Sequence, residues 1–469
     1  MTAHLRPFLA RMRSEAGISL IEVVVALFVF TIIATGVGYT MLAVFTSTAD
    51  TKARVEASNL AAQEIDLDRS IGNLFNLVDA NKDVQVNGTG LFYHINRATQ
   101  WVSDPTITQN CGAGGGILKY KSVRVTVSWT SASSTHSVTT NTLIDPGTRI
   151  NDPTLGTILV SVTTASGTGS AGVTVTAVPS RVANGAQPIT STINPTDSQG
   201  CTYILQVTPG NYDITVSKTN FLDVNQAPSP VVTRGVVAGA AVSVGLQFDN
   251  SASFPLTWAS NYLLGSLKLP TNLSTSFLSS NFPTYVTGTP VTPVRLYPFA
   301  AGYQVLAGKY VDPSLPSHGC ASVDPSTWPA GTTVSGTSMQ AGVRPAGVAA
   351  MPGGSALVPA AIPMGIVNVS GLNSSPYVVA VETSGAAATG DPGCAVASAY
   401  SPSSPTFTFG QITSSTATLG LPFGSWLFYT SSTNGGSTTL IPAAQLSMAS
   451  SGSVDPSGTV TFDPRQVAP

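Results

Sequence analysis

Glu22 is the residue of this chain with the clearest chemistry to do. It immediately precedes residues 23–45, a run with no charged residue and no proline. A carboxylate carried into lipid beside such a run is expensive, about 2.5–3.5 kcal/mol at a helix centre. A chain that keeps one there uses it. No other cluster reads as reactive. His4, His94, His136 and His318 fall in no HExxH or other metal-ligand spacing. His94 and His136 lie on predicted strands, where a lone histidine is most often a surface or satisfied core residue. No GxSxG elbow and no P-loop occurs. Gly112 and Gly114 to Gly116 follow Cys111 but precede a strand, so they read as a hairpin loop and not a phosphate cradle. Cys111, Cys201, Cys320 and Cys394 are spaced neither as a zinc site nor as a CxxC pair. The expectation is no enzyme, no metal and no cofactor.

The elements that hold these residues follow from composition. The chain has 469 residues, room for roughly three or four domains of about 100–150 residues. Charged residues make up 9%, against about 25% in an average soluble domain. Ser, Thr, Gly and Val dominate, and 33 prolines punctuate them, which predicts many short strands joined by turns. A formal charge of -2 leaves nothing to neutralise a run of phosphates, so a nucleic-acid partner is not expected.

Residues 23–45 are long enough to cross a hydrocarbon core of about 30 Å as a helix. Arg6, Arg11 and Arg13 precede them against a single Glu15, which keeps that end cytoplasmic and sends the rest outward. An ordinary secretory signal accounts for this less well, since its cleavage site follows the apolar region and Glu22 would sit awkwardly inside it. A plain single-pass anchor with a snorkelling Glu22 is the other alternative. The run Gly17-Ile18-Ser19-Leu20-Ile21-Glu22, behind a short basic leader, resembles the N-terminus of a type IV prepilin or pseudopilin. The resemblance covers about thirty residues. It implies that residues 1–17 are a leader, that a membrane prepilin peptidase cuts after Gly17, and that Ile18 becomes an N-methylated N-terminus. Glu22 is then the fifth mature residue, the assembly acid of that family. The amine of one subunit and the carboxylate of a neighbour can neutralise each other in lipid or in a filament core. Glu22 also lies near the positive end of the helix dipole.

No proline interrupts residues 18–75, which permits a helix of roughly 85 Å at about 1.5 Å per residue. Beyond Phe45 the apolar stripe Ala53, Ala57, Leu60, Leu67, Ile71 and Leu74 recurs mostly at three- and four-residue steps. Gly36 and Gly38 are weak points, read either as local unwinding in a filament or as close helix packing. Strands are predicted at 91–97, 120–129 and 135–143, the second with Val123, Val125, Val127 and Trp129 on one face. The helix and sheet together predict an α+β pilin-like domain over 18–150, most like that of minor pilins and minor pseudopilins. Asp145-Pro146-Gly147 and Asn151-Asp152-Pro153 mark a boundary.

From 153 to 250 alternating Ile158, Val160, Val162 and Tyr212, Ile214, Val216 predict a small β-sandwich. Thr196 to Gly200 before a strand and Pro209-Gly210-Asn211-Tyr212 after it resemble carboxypeptidase regulatory-like, prealbumin-like modules. Some adhesin relatives carry a Lys–Asn crosslink assisted by an acid; here Lys218 is the one lysine of the stretch and no Glu is present, so none is expected. A loop-rich β region follows at 251–354, with Arg295 to Phe299 and Tyr303 to Val305 predicted as a pair of strands. Residues 355–469 are read as a second sandwich-like module that loosely repeats the first. The fold class expected is thus a pilin-like α+β part followed by mostly-β sandwich modules. Cys320 with Cys394 is the preferred disulfide, because both lie in the C-terminal third and the region between is loop-rich. Free buried thiols are the alternative.

The expected function is that of a structural subunit, a minor or tip pilin of a type IV pilus-like filament, displaying its β modules for adhesion or partner binding. The partners implied are prepilin peptidase, other pilin subunits through the N-terminal helix, the cytoplasmic membrane and an unnamed surface ligand. A minor pseudopilin of a type II secretion system and a membrane-anchored surface binding protein that does not polymerise are the alternatives. The expected location is the cytoplasmic membrane, single-pass with the C-terminal part outside, and then the pilus or cell surface.

Overall fold

The computed structural model describes residues 19–72, 74, 77–86, 90–102, 111, 120–131, 134–145, 152–182, 184–263, 265–280, 285–287, 292–310, 321–332, 336–374, 376–383, 390–393 and 406–468. The chain forms two compact units, Met1–Gln100 with Tyr120–Gly147, and Trp101–Lys119 with Thr148–Pro469.

The first unit is built on α1 (Leu20–Arg69), an unbroken helix of 50 residues. Its apolar half is uncovered among the described residues: Leu20, Phe28, Phe30 and Tyr39 are two-thirds or more exposed. Length and composition suffice for this helix to cross a membrane. Even its hydroxyls suit lipid. Thr31, Thr35, Thr40 and Thr46 donate back to carbonyls one turn earlier, at 2.7–3.1 Å, so these four hydroxyls are satisfied without water. The helix runs through Gly36 and Gly38 without a break, and a Cβ at either would meet nothing within 4 Å.

Four strands, β1 (Ala80–Gln85), β2 (Phe92–Val102), β3 (Tyr120–Ser131) and β4 (Ser134–Ile144), form a sheet in that order, with β1–β2 and β3–β4 antiparallel. Val123, Val125, Val127 and Trp129 are buried on one face of β3, as their period of two predicts. The helix face differs from the predicted stripe. Ala53, Ala57, Ala61, Glu64, Ile65 and Asp68 are the buried residues of α1, whereas Leu67 is half exposed. Alanines admit close approach of the sheet, and the two acids meet cations there, so small size and charge pairing outweigh leucine burial. β1 was not predicted, since Asn81, Lys82 and Asp83 are poor strand formers. It forms as a solvated edge, held to β2 by Asn96 Nδ2 to Asn81 Oδ1 and by His94 Nδ1 with Asp83 Oδ1, both at 2.6 Å.

The second unit contains a sandwich of two sheets. One orders β7 (Cys201–Val207), β5 (Gly156–Thr163), β11 (Ala241–Asn250) and β9 (Phe221–Asp223); the other orders β10 (Val231–Val236), β8 (Gly210–Ser217) and β6 (Thr174–Pro179). β5 and β11 run parallel and the remaining pairs antiparallel. Ile158, Val160, Val175, Ile214, Val216 and Phe248 fill the space between the sheets. The turn into β8 needs glycine: Gly210 has φ +152°, and a Cβ there would lie 2.4 Å from the Ala186 nitrogen.

Residues 251–354 and 355–469 do not form separate cores. Phe254, Phe277, Tyr303 and Trp328 share one cluster of buried side chains with Ile366, Trp426, Phe428 and Phe462. A parallel pair of strands, β13 (Leu256–Trp258) with Ala360–Ile362, ties the two stretches together. Of the predicted pair near Tyr303, β16 (Val294–Leu296) joins β12 (Ala252–Phe254), whereas β17 (Gln304–Ala307) joins β14 (Thr275–Leu278) and, through it, β15 (Tyr285–Thr287). Their aromatic contribution is as expected: Phe254, Phe277 and Phe299 all pack against Tyr303, with centroids 5.2–6.0 Å away. The strand Tyr377–Glu382 lies in an antiparallel sheet with Thr406–Gln411, Gly424–Ser431, Thr439–Leu440, Gly452–Val454 and Val460–Phe462, while Ala417–Leu421 and Leu446–Met448 flank Gly365–Val369 in another. Among the described residues neither sheet has a parallel strand pair like β5 with β11.

Candidate functional site

Gly17 and Ile18 lie outside the described residues. Glu22 is in the first turn of α1, where its backbone N–H donates to the Ser19 carbonyl at 2.9 Å. Its side chain is exposed and, among the described residues, in no ion pair. Fold and sequence therefore put one carboxylate at the head of a helix whose following turns are apolar all round. That arrangement does one thing well: it offers an acid to a cation from outside this chain, in surroundings where an unpaired charge is costly.

A second charged constellation, missed in the sequence, fixes α1 to its sheet. Arg97 Nη1, on β2, donates to Asp68 Oδ1 at 2.5 Å and to Glu64 Oε1 at 3.3 Å, while its Nε donates to the Val78 carbonyl at 3.0 Å. Lys82 Nζ, on β1, pairs with Glu64 Oε2. The carboxylates of Glu64 and Asp68 are 7% and 0% exposed. The available signal was two acids four residues apart on a helix face otherwise made of alanine.

Cys111 and Cys201 form a disulfide within the second unit, across 90 residues of sequence. Sequence reasoning left both cysteines unassigned; nothing in their spacing indicates it, since the pairing depends on where Cys201 opens β7. Cys320 and Cys394 lie outside the described residues. Among the described residues no three His, Cys, Asp or Glu side chains gather as a metal site. His94 meets Asp83, and His136 stacks on Trp129 with its ring centroid at 5.5 Å.

Glu382 is an unusual buried acid. It ends the strand Tyr377–Glu382, is 2% exposed, and neither carboxyl oxygen has a hydrogen-bond partner among the described residues. Burial, with the charge of Asp391 nearby, pushes its carboxyl up to about 8. The folded chain therefore keeps a proton that the unfolded chain gives up above its ordinary carboxylate range near 4.5. Stability contributed this way is present at low pH and falls as pH rises from about 4.5 to about 8, by on the order of a few kcal/mol. Glu382→Gln flattens that dependence. Hydrogen exchange of the strand Tyr377–Glu382 at pH 5 and pH 8.5 measures it, and equal pH dependence in both chains counts against the assignment.

A family model, the prokaryotic N-terminal methylation motif, matches residues 12–38. No curated protein matches the chain. Among solved structures, the Bacillus anthracis TIE protein is similar over 76% of this chain and 69% of its own, at 8% identity and TM-score 0.18. A streptococcal ancillary pilin is similar over 70% and 72%, at 9% identity and TM-score 0.18. The major pilin subunit of Bacillus cereus is similar over 60% and 88%, at 11% identity and TM-score 0.16. At these scores none of the three bears on what this chain does. The N-terminus is a prepilin-type methylation motif on one long apolar helix, and the rest of the described chain is mostly antiparallel β.

Proposed function

We propose that this chain, which carries a prepilin-type methylation motif, is a minor or tip subunit of a type IV pilus-like filament. The observation that carries the reading is the match at residues 12–38 leading into a helix of 50 residues whose apolar half is bare. Prepilin peptidase cuts after Gly17, Ile18 becomes the methylated N-terminus, and Glu22 offers its carboxylate to the amine of a neighbouring subunit. Before assembly the helix holds the chain in the cytoplasmic membrane with the β part outside. A β part of some 300 residues crowds a filament shaft if present at every position, which favours the tip or low abundance. There it is displayed for adhesion or partner binding.

Cys320 and Cys394 are proposed to form a second disulfide. The residues next to them support it: the Ala321 N–H donates to the Gly393 carbonyl at 3.1 Å, and Ser322 Oγ donates to Asp391. Intact mass and N-terminal sequencing of the membrane-extracted chain, with and without the peptidase, test the processing. A start at Ile18, heavier by one methyl and lost without the peptidase, is the expected result; an uncut chain or cleavage beyond Phe45 overturns it. The same mass, lighter by two hydrogens per disulfide than the reduced chain, reports the cysteines.

A further inference from the structure

A groove of about 720 Å³ in the second unit has a lining that filament assembly does not require. That volume lies within the range of ligand sites, about 300–1,000 Å³. Its floor is the turn from β8 to β9. The Phe221 N–H donates to the Lys218 carbonyl at 3.1 Å, Asn220 sits at φ +65°, and the Ser251 N–H donates to the Asn220 carbonyl at 2.8 Å. The turn is thus pinned at both ends.

Two cations face this groove. Lys218 Nζ is held in place, donating to the Ala171 carbonyl at 2.7 Å and standing 4.4 Å from the centre of the Phe221 ring. Arg295, on β16, is exposed. Among the described residues neither is in an ion pair. The nearby acids Asp223 and Asp249 are buried and engaged: Asp223 Oδ1 accepts from the Asn225 and Ala227 N–H groups and Oδ2 from the Asn225 side-chain amide, and the two oxygens of Asp249 accept from the Ala165 and Asn250 N–H groups. Neither acid lines the groove. A ligand with negative charge is therefore selected.

The rest of the wall is neutral and, apart from Phe221, Leu222 and Pro228, hydrogen-bonding. Thr174, Ser217, Thr219, Ser229 and Ser251 bring hydroxyls, each able to donate and accept, and Phe221 adds an aromatic ring. Inorganic phosphate is far smaller than this space. The strand edge at the groove, β9, is three residues long and gives an extended peptide little to pair with. Hydroxyl-rich lining, one ring and two cations together match a short saccharide that carries a carboxylate.

We propose that this groove binds an acidic saccharide, with its carboxylate between Lys218 and Arg295 and its hydroxyls on the Ser and Thr wall. The proposal rests on the reading of the β part as a displayed binding surface, and it holds whether or not the helix polymerises. Calorimetry on the full chain in detergent, with trigalacturonic acid, a neutral galactose trisaccharide and triglutamate as probes, tests it. The expected result is saturable binding of the uronic trisaccharide, with the neutral trisaccharide and triglutamate weaker by about tenfold or more. Arg295→Gln, at an exposed position, weakens the uronic probe by about tenfold with thermal unfolding unchanged. Lys218→Gln does likewise. No binding of the uronic probe, equal binding of triglutamate, or an Arg295→Gln chain that binds as before overturns the proposal. Those failures leave the start at Ile18 untouched, so processing and ligand are judged separately.

Discussion

Replacing Arg97 with alanine lowers the local stability of the first unit by about 3–5 kcal/mol. Among the described residues Arg97 is the one cation paired with both acids of the α1 face, and its side chain is 14% exposed. Its loss leaves Asp68, whose side chain is fully buried, with no cation in contact, while Glu64 keeps Lys82. The cost is that of an uncompensated buried charge and exceeds the net worth of the pair when intact. Arg97→Lys recovers only part, because an ammonium cannot reach Asp68, Glu64 and the Val78 carbonyl with one planar group. Arg97→Ala combined with Asp68→Ala recovers more, since the orphaned charge is then gone. A chain of two compact units is a poor subject for a single unfolding midpoint. Hydrogen exchange at residues 53–69 and along β2 is the measurement, and at about 1.4 kcal/mol per decade the opening constant rises about a hundredfold or more. Unchanged exchange means that alanine packing alone holds α1 to the sheet.

What the sequence discloses here follows where a single physical constraint acts over a long stretch. Lipid imposes an uncharged run, so residues 23–45 and the exceptional Glu22 are legible directly. Half-burial imposes alternation, so Val123 to Trp129 reads as a strand, and the β-branched Ile158, Val160 and Val162 read as one although Leu159 between them is buried too. The helix face against the sheet is less legible, because Glu64 and Asp68 are buried only by virtue of Arg97 and Lys82, which are distant in sequence. β1 forms because β2 is there to pair with, against its own propensities. The Cys111–Cys201 bond and the merged core of Phe254, Tyr303, Ile366 and Trp426 depend on contacts between segments far apart, which no local pattern encodes. The groove beside Lys218 is of the same kind, since Arg295 reaches it from a strand more than seventy residues later. The near-neutral composition gives no hint of the two cations that folding brings to this groove.

Glu22→Ala yields a chain that is inserted and cut after Gly17 normally but does not enter filaments. Removing the acid lowers the insertion cost, by less than the ~2.5–3.5 kcal/mol of a charge at a helix centre because Glu22 is in the first turn, so the variant is held in the membrane at least as well as the parent. On the proposed assembly role, the same change leaves the new amine of a neighbouring subunit without its carboxylate in a medium that tolerates neither charge alone. Insertion and assembly therefore move in opposite directions, which a general defect in folding does not produce. Glu22→Asp keeps the charge on a shorter side chain and restores assembly in part, whereas Glu22→Gln, neutral and of the same shape, behaves as alanine does. Sheared filaments and membranes, fractionated and probed for this chain, read the result. Incorporation of Glu22→Ala at the parent level means that the carboxylate is not an assembly group and that α1 serves only to anchor a surface β protein. Depletion from filaments with normal membrane levels means that the one charge at the head of the bare helix decides which subunit the chain joins.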